Sequence, residues 1–197
     1  MTADSGEGIT PADPGPGITP AAYREVLSMF ATGVTVVTTT TPSTGGVRGM
    51  TANAFMSVSL SPALVLVSVR HDAHLHGLIH QSGRYGVSLL SERLEHEARR
   101  FAGMPMPVHT PEPVFTDHAG VPVLRDALGW LTAAVVDEHR AGDHTLFIGQ
   151  ILDLGGGDPG ERPLGFYQSS FAEIRTLPRQ GRMPIELWDH PLAGLWG

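Results

Sequence analysis

Residues 33–41 read GVTVVTTTT, and no other stretch of the chain constrains its fold as tightly. β-branched side chains are stiff at χ1 and suit a pleated surface better than a helix, so this run predicts a strand. Gly45 and Gly46 permit a turn into residues 47–55, and a hairpin is the simplest reading. Residues 63–69, ALVLVSV, predict a buried strand, and residues 84–90 another. Residues 131–139 and 144–154 predict a long hairpin turning at Ala141-Gly142-Asp143, and residues 164–168 a last strand. Helices are fewer. Thr19 caps one beginning at Pro20, with Ala22, Tyr23, Val26, Leu27 and Phe30 on a face that must pack on something. A second starts near Asp72, turns Leu75, Leu78 and Ile79 inward and stops at Gly83, and a third, capped by Ser91, carries Leu94, Ala98 and Phe101. Five prolines between residues 105 and 122 predict a long loop. Most strands follow one another without intervening helices, so the expected class is mainly β, an antiparallel barrel.

The 197 residues suit one domain with a real core. Charged residues are only 17%, below the roughly 25% usual for soluble domains, so a large share of the molecule should be core or interface. With 20 acidic against 13 basic residues and a net charge of -7, nucleic acid and anionic membranes are poor partners. The absence of cysteine excludes disulfides, thiolate metal sites and thiol nucleophiles. All 13 basic residues are arginine, which excludes lysine Schiff-base chemistry. The Gly- and Pro-rich start has no basic or apolar targeting pattern, and no run of about 18 apolar residues occurs, so a cytoplasmic protein is expected. Residues 1–18 are expected to form a disordered arm, 19–176 the domain, and 177–197 a tail that docks Trp188 and Trp196 on the domain or a partner.

Several familiar motifs fail. Gly155, Gly157 and Gly160 satisfy GxGxxG in form, but Glu161-Arg162-Pro163 follows where a phosphate-binding helix should start, so a flexible hairpin loop is expected. His96-Glu97 begins like HExxH, yet position 100 is Arg. His71, His74, His76 and His80 crowd ten residues, but Asp72 is the only carboxylate nearby, so solvated histidines rather than a metal site are expected.

Two segments carry more. In GMTANAF, residues 49–55, the small residues Gly49, Ala52 and Ala54 let a flat ligand approach the backbone, while Thr51 and Asn53 can bond its polar edge. An ordinary irregular strand end is the alternative. In AGDHTLFIGQI, residues 141–151, Asp143 and His144 fall at the rim of a hairpin, where barrels bind ligands, although His144 alone also suits a plain turn.

FATGVTVVTT, GMTANAF, SVSLSPALVLVSV, SGRYGVSLLSE, RRFAG, GDHTLFIGQI and PLGFYQSSF follow one another in an order that resembles the short-chain flavin reductase family. These are flavin reductase-like, FMN-binding split-barrel proteins, and the resemblance spans about residues 21–174. It implies a homodimeric Greek-key split barrel holding FMN or FAD near the subunit interface and oxidising NADH or NADPH. It further implies a separate flavin-dependent monooxygenase that receives the reduced flavin. Carried over by position, Thr51, Ala52, Asn53 and Ala54 line the isoalloxazine, and Ser57, Val58 and Ser59 continue that wall. Arg70, His71 and Ala73 belong to the loop near the flavin phosphate, His144 is the histidine beside the nicotinamide, and Ser88, Phe101 and Phe171 fall in other site segments. Ser88 stands where relatives often have Asn, and Ala73 where a hydroxyl residue is common, which predicts a weak hold on phosphate and a flavin that exchanges. The alternatives are a flavin-binding protein without reductase activity, a self-contained flavin oxidase, and a haem-binding relative.

Overall fold

The computed structural model describes residues 18–158 and 160–175. The expectations for the arm before residue 18 and for the tail lie outside those residues. Helix α1 (Pro20–Ser28) starts as expected: Thr19 is extended, and its hydroxyl oxygen accepts the Ala22 N–H at 3.1 Å. Its apolar face, however, finds nothing to pack on among the described residues. Tyr23, Val26 and Phe30 are 59%, 63% and 72% exposed, and no residue of the helix is buried.

The strands are β1 (Thr32–Gly33), β2 (Thr35–Thr40), β3 (Val47–Ala52), β4 (Phe55–Leu60), β5 (Ala63–Arg70), β6 (Arg84–Leu89), β7 (Phe115–His118), β8 (Val121–Leu124), β9 (Gly129–Ala141), β10 (His144–Gly156), β11 (Leu164–Tyr167) and β12 (Ser170–Glu173). Helix α2 (His74–Ser82) follows β5. Helix α3 (Glu95–Phe101) follows β6 after one 3-10 turn, Glu92–Leu94. Seven strands form a single antiparallel sheet in the order β3-β2-β6-β9-β10-β5-β4. Its two edge strands are consecutive in the chain and joined only by Asn53 and Ala54. Three residue steps reach at most about 11 Å, so the sheet rolls until its edges nearly meet. The result is a barrel with one seam, in keeping with the split barrel expected.

Strand β2 explains the Val/Thr run. Val37 points into the barrel with Val67, Tyr85, Val87 and Phe147, while Val36 belongs to an outer core with Val34, Leu90, Ala98, Leu124 and Leu164. Both faces are buried, so a polar position survives only if its hydroxyl reaches a carbonyl. Thr35 donates to Ala52 O at 2.7 Å, Thr39 to Arg84 O at 2.8 Å, and Thr38 to Pro122 O. At the barrel centre Gly149 makes room for the Tyr85 ring: a Cβ there would stand 2.7 Å from Tyr85 Cζ and 2.8 Å from Ala133 Cβ.

Several expectations change. Residues 47–55 are not one strand, because the chain leaves β3 after Ala52 and crosses the seam before β4. The proline-rich stretch is not loop throughout, since β7 and β8 pair as a hairpin in its second half. Pro122 is tolerated there because β8 ladders only with β7. The turn after β11 returns as a further strand, β12, that the sequence reading leaves out. Gly155 and Gly156 belong to β10 rather than to a flexible loop, and Gly155 admits the Trp130 ring, whose Cζ2 would lie 2.6 Å from a Cβ. Helix α2 begins two residues later than expected, with Ala73 at its N-cap, and Gly83 ends it in the left-handed conformation at φ 64°. Ser91 precedes the 3-10 turn without capping it by its side chain.

Candidate functional site

The seam opens a cleft of about 690 Å³ lined by Phe30, Gly33, Asn53, Ala54, Met56, Leu66, Ser68, Leu89, Leu128 and Pro163, among others. Its floor is the two-residue crossing itself, where the Ala54 carbonyl accepts the Ser68 N–H at 3.1 Å. Apolar walls and a backbone floor with few polar side chains suit a flat heteroaromatic ring. Ala52 is buried behind this floor. Asn53 is exposed, and its side chain makes no hydrogen bond with the described residues, leaving its amide free for a ligand. Thr51 is more restricted. Its hydroxyl donates to Ala98 O at 2.6 Å, so it can offer a ligand only lone pairs.

Strand register carries the surface onward from the seam. In β5, Val65, Val67 and Val69 are buried, which turns Leu66, Ser68 and Arg70 to the outer face. In β10, Thr145 and Phe147 are buried while His144 lies directly opposite Arg70. Ser68 and Arg70 are two residues apart, about 7 Å. Asn53, Ala54, Ser68, Arg70 and His144 therefore follow one outer surface. Arg70 pairs with Asp72, both largely exposed.

His144 Nδ1 lies 2.7 Å from Asp143 Oδ1, and that hydrogen bond holds the Asp143 carboxyl below its ordinary range. The turn is tied to the preceding loop because His71 N–H donates to Asp143 O at 3.0 Å. Below it the Thr145 hydroxyl meets two imidazoles, His71 Nε2 at 3.2 Å and His76 Nε2 at 2.9 Å. Burial, with His71 adding to it, depresses the His76 pKa. The histidines of α2 are thus not all solvated: His76 turns inward against Phe147, whereas His80 stays exposed and pairs with Glu138 at 2.9 Å. Among the described residues no three His, Asp or Glu side chains form a metal-ligating cluster.

A second cleft, about 540 Å³, opens on the α3 side of Asn53. It is bounded by Thr51, Ala52, Arg99, Ser169, Ser170 and Phe171 and shares Val34 and Asn53 with the first.

Not every residue carried over reaches a cleft. Ser57, Val58 and Ser59 lie farther along the β4 edge, where a bulge interrupts pairing with β5, and line neither opening. Ser88 is fully buried, and its hydroxyl accepts the Leu124 N–H at 2.9 Å, pinning β8 to β6. Phe101 packs in the outer core against Phe115 and over Gly49. Ala73 serves as the α2 N-cap. Sequence reasoning passes over Phe30, Ser68, Leu89, Arg99 and Pro163 as cleft residues, because only the rolled sheet brings these distant segments together.

Residues 27–175 match the family described as flavin reductase like domain. An NADH-dependent flavin reductase of a Rhodococcus species is 44% identical over 158 residues, covering 79% of this chain and 87% of that protein. The flavin reductase PheA2 in its native state superposes with a TM-score of 0.74 at 40% identity, covering 81% of this chain and all of that one. The styrene monooxygenase flavin reductase of Pseudomonas putida S12 gives 0.70 at 38% identity, covering 80% and 99%. Matched over residues 27–175 and in fold, this chain belongs to the flavin reductase-like domain family.

Proposed function

We propose that this protein is an NADH:flavin oxidoreductase that reduces FMN or FAD and passes the reduced flavin to a separate monooxygenase. One observation carries the reading: the seam floor and the His144 rim lie on one continuous outer surface, joined by the register of β5 with β10. The Rhodococcus relative is an NADH-dependent flavin reductase, and the Pseudomonas structure is the reductase of a styrene monooxygenase.

Flavin, when bound, would supply the acceptor for a hydride from the nicotinamide, so the protein's task is to bring two flat rings into contact. The small side chain at Ala54 lets one ring reach the backbone at the seam. Asn53 presents donors and an acceptor to its polar edge, and Thr51 an acceptor only. Arg70, with its loop through Ala73, holds the phosphate end. His144, oriented by Asp143, positions the nicotinamide and need transfer no proton.

The apolar face of α1 has an occupant in this reading, a second copy of the chain. Phe30 belongs both to that uncovered face and to the cleft wall, so a homodimer closes the site where the helix meets it. Among the described residues no helix is long and apolar enough to cross a membrane. The compartment proposed is the cytoplasm, where NADH is supplied.

NADH and NADPH oxidation with FMN, FAD and riboflavin tests the function. NADH consumption that saturates with flavin concentration is expected, and no oxidation with any flavin overturns it. A bound yellow flavin that never exchanges with labelled flavin during turnover rules out the diffusible carrier.

A further inference from the structure

His71 holds both chain neighbours of His144. Its backbone N–H donates to Asp143 O at 3.0 Å, and its Nε2 lies 3.2 Å from the Thr145 hydroxyl. Between these two holds His144 stands at the start of β10, opposite Arg70 and turned to the outer face. Thr145 points the other way, into the end of the barrel, where it is 4% exposed and where His76 Nε2 also reaches its hydroxyl, at 2.9 Å. One oxygen thus ties the loop after β5, helix α2 and the rim strand together, with Phe147 packed against the His76 ring.

A buried hydroxyl needs an acceptor for its single proton, and the two imidazoles are the only partners of the Thr145 hydroxyl among the described residues. At least one of them must therefore carry no proton on Nε2. A pair with one charged ring meets that condition, the charged ring donating to the oxygen and the neutral ring accepting from it. With both charged, the hydroxyl proton has no acceptor, and two cations stand with ring centres 5.3 Å apart. The other charged and titratable groups near His76 are His80 on its own helix and Glu138 and Arg140 on β9, and Glu138 is engaged by His80. Beside His71, Arg70 pairs with Asp72, and Asp143 with His144.

We infer that Thr145, with the His71–His76 pair, is the positioning element of the nicotinamide rim: it fixes the backbone from which His144 projects, and it lets go in acid once both imidazoles are protonated. The kinetic consequence rests on the proposed reductase activity and the role given to His144, whereas the tie itself does not.

The KM for NADH at saturating flavin, followed from about pH 8 down to about pH 5.5, is the kinetic test. In the wild type it should rise about fivefold toward acid as a hydrogen bond is lost. His76→Gln retains an acceptor that no acid in this range protonates, so its acid rise should be at most about twofold. Thr145→Val removes the tie at every pH and should raise the NADH KM about fivefold at neutral pH with the flavin KM moving less than about twofold, and Thr145→Ser should restore it. A flat wild-type profile, an undiminished acid rise in His76→Gln, or equal rises in both KM values for a folded Thr145→Val overturns the proposal. If Thr145→Val does not fold, the comparison of wild type with His76→Gln decides alone. Nitrogen NMR of the imidazoles reads the tie without turnover. At neutral pH at least one of His71 and His76 should be the Nδ1–H tautomer, and finding both as Nε2–H overturns the proposal. The Nδ1–H tautomer in a protein that oxidises no NADH supports the tie and sinks the reductase reading instead.

Discussion

Replacing Asn53 by Leu separates a ligand contact from a folding contact. The Asn53 side chain is exposed and bonds to no described residue, so its loss should cost folding no more than about 0.5 kcal/mol. In a flavin complex the same change leaves polar atoms of the ring edge unpaired against an apolar side chain, about 1–3 kcal/mol. That predicts a flavin Kd weakened by about 5- to 150-fold. Thr51→Val supplies the contrast, because its hydroxyl is committed to Ala98 O at 2.6 Å. The Ala98 carbonyl keeps the Ala102 N–H at 3.1 Å, so it is not orphaned, and the loss stays near 0.5–1.5 kcal/mol. For a chain of this size that lowers Tm by about 1–6 °C. Flavin fluorescence titration and thermal unfolding of both variants read the two quantities independently. An Asn53→Leu protein with unchanged flavin affinity and a Tm several degrees lower would refute the reasoning and make Asn53 a structural residue.

Three further outcomes are expected. Gly149→Ala should cost about 3 kcal/mol in urea unfolding because its Cβ would overlap the Tyr85 ring; Tyr85→Phe should cost under about 1 kcal/mol, as the two bonds of its hydroxyl are both 3.4 Å, and should partly restore Gly149→Ala. Light scattering at micromolar concentration should give twice the 21.0 kDa chain mass, with Val26→Glu shifting it toward the single chain, and a wild-type mass of 21.0 kDa would contradict the dimer. His76 has its pKa depressed below 6.5 by burial and by His71, so the unfolded chain takes up the proton first. Its contribution is present above about pH 6.5 and lost as pH falls toward the native value, so His76→Gln should flatten the acid limb of stability, and an unaltered slope would argue against it.

What the sequence discloses depends on how local the cause is. Thr19 before Pro20, Gly83 after α2 and Gly142 between β9 and β10 act within a few residues, and each is found where expected. The Val/Thr run likewise identifies β2, although its burial on both faces becomes visible only once the outer core is assembled. The break at Asn53 and Ala54 has no local signal, since it arises from closing a seven-stranded sheet on itself. Ser88 looks like a ligand residue from its place in YGVSLL and instead holds the Leu124 N–H, a partner 36 positions away. Pro122 argues against a strand until β8 is seen to ladder with β7 alone. In the same way the ring-binding segment is legible because its small residues stand side by side, whereas Arg99 and Phe171 meet from segments far apart in the chain.

The two-residue crossing at Asn53 and Ala54 gives the barrel a mechanical property. Because β3 and β4 are the unpaired margins of one sheet, their outward amides are the natural place for solvent exchange to begin. A ring seated across the crossing would touch both margins at once and act as a clasp. Ligand affinity and the opening free energy of this margin are then linked quantities: each tenfold in flavin concentration above its Kd should slow exchange at the margin by up to about tenfold. The amides of β9, paired on both sides, should be indifferent to it. Hydrogen exchange would thus report flavin occupancy even if the purified protein retains none.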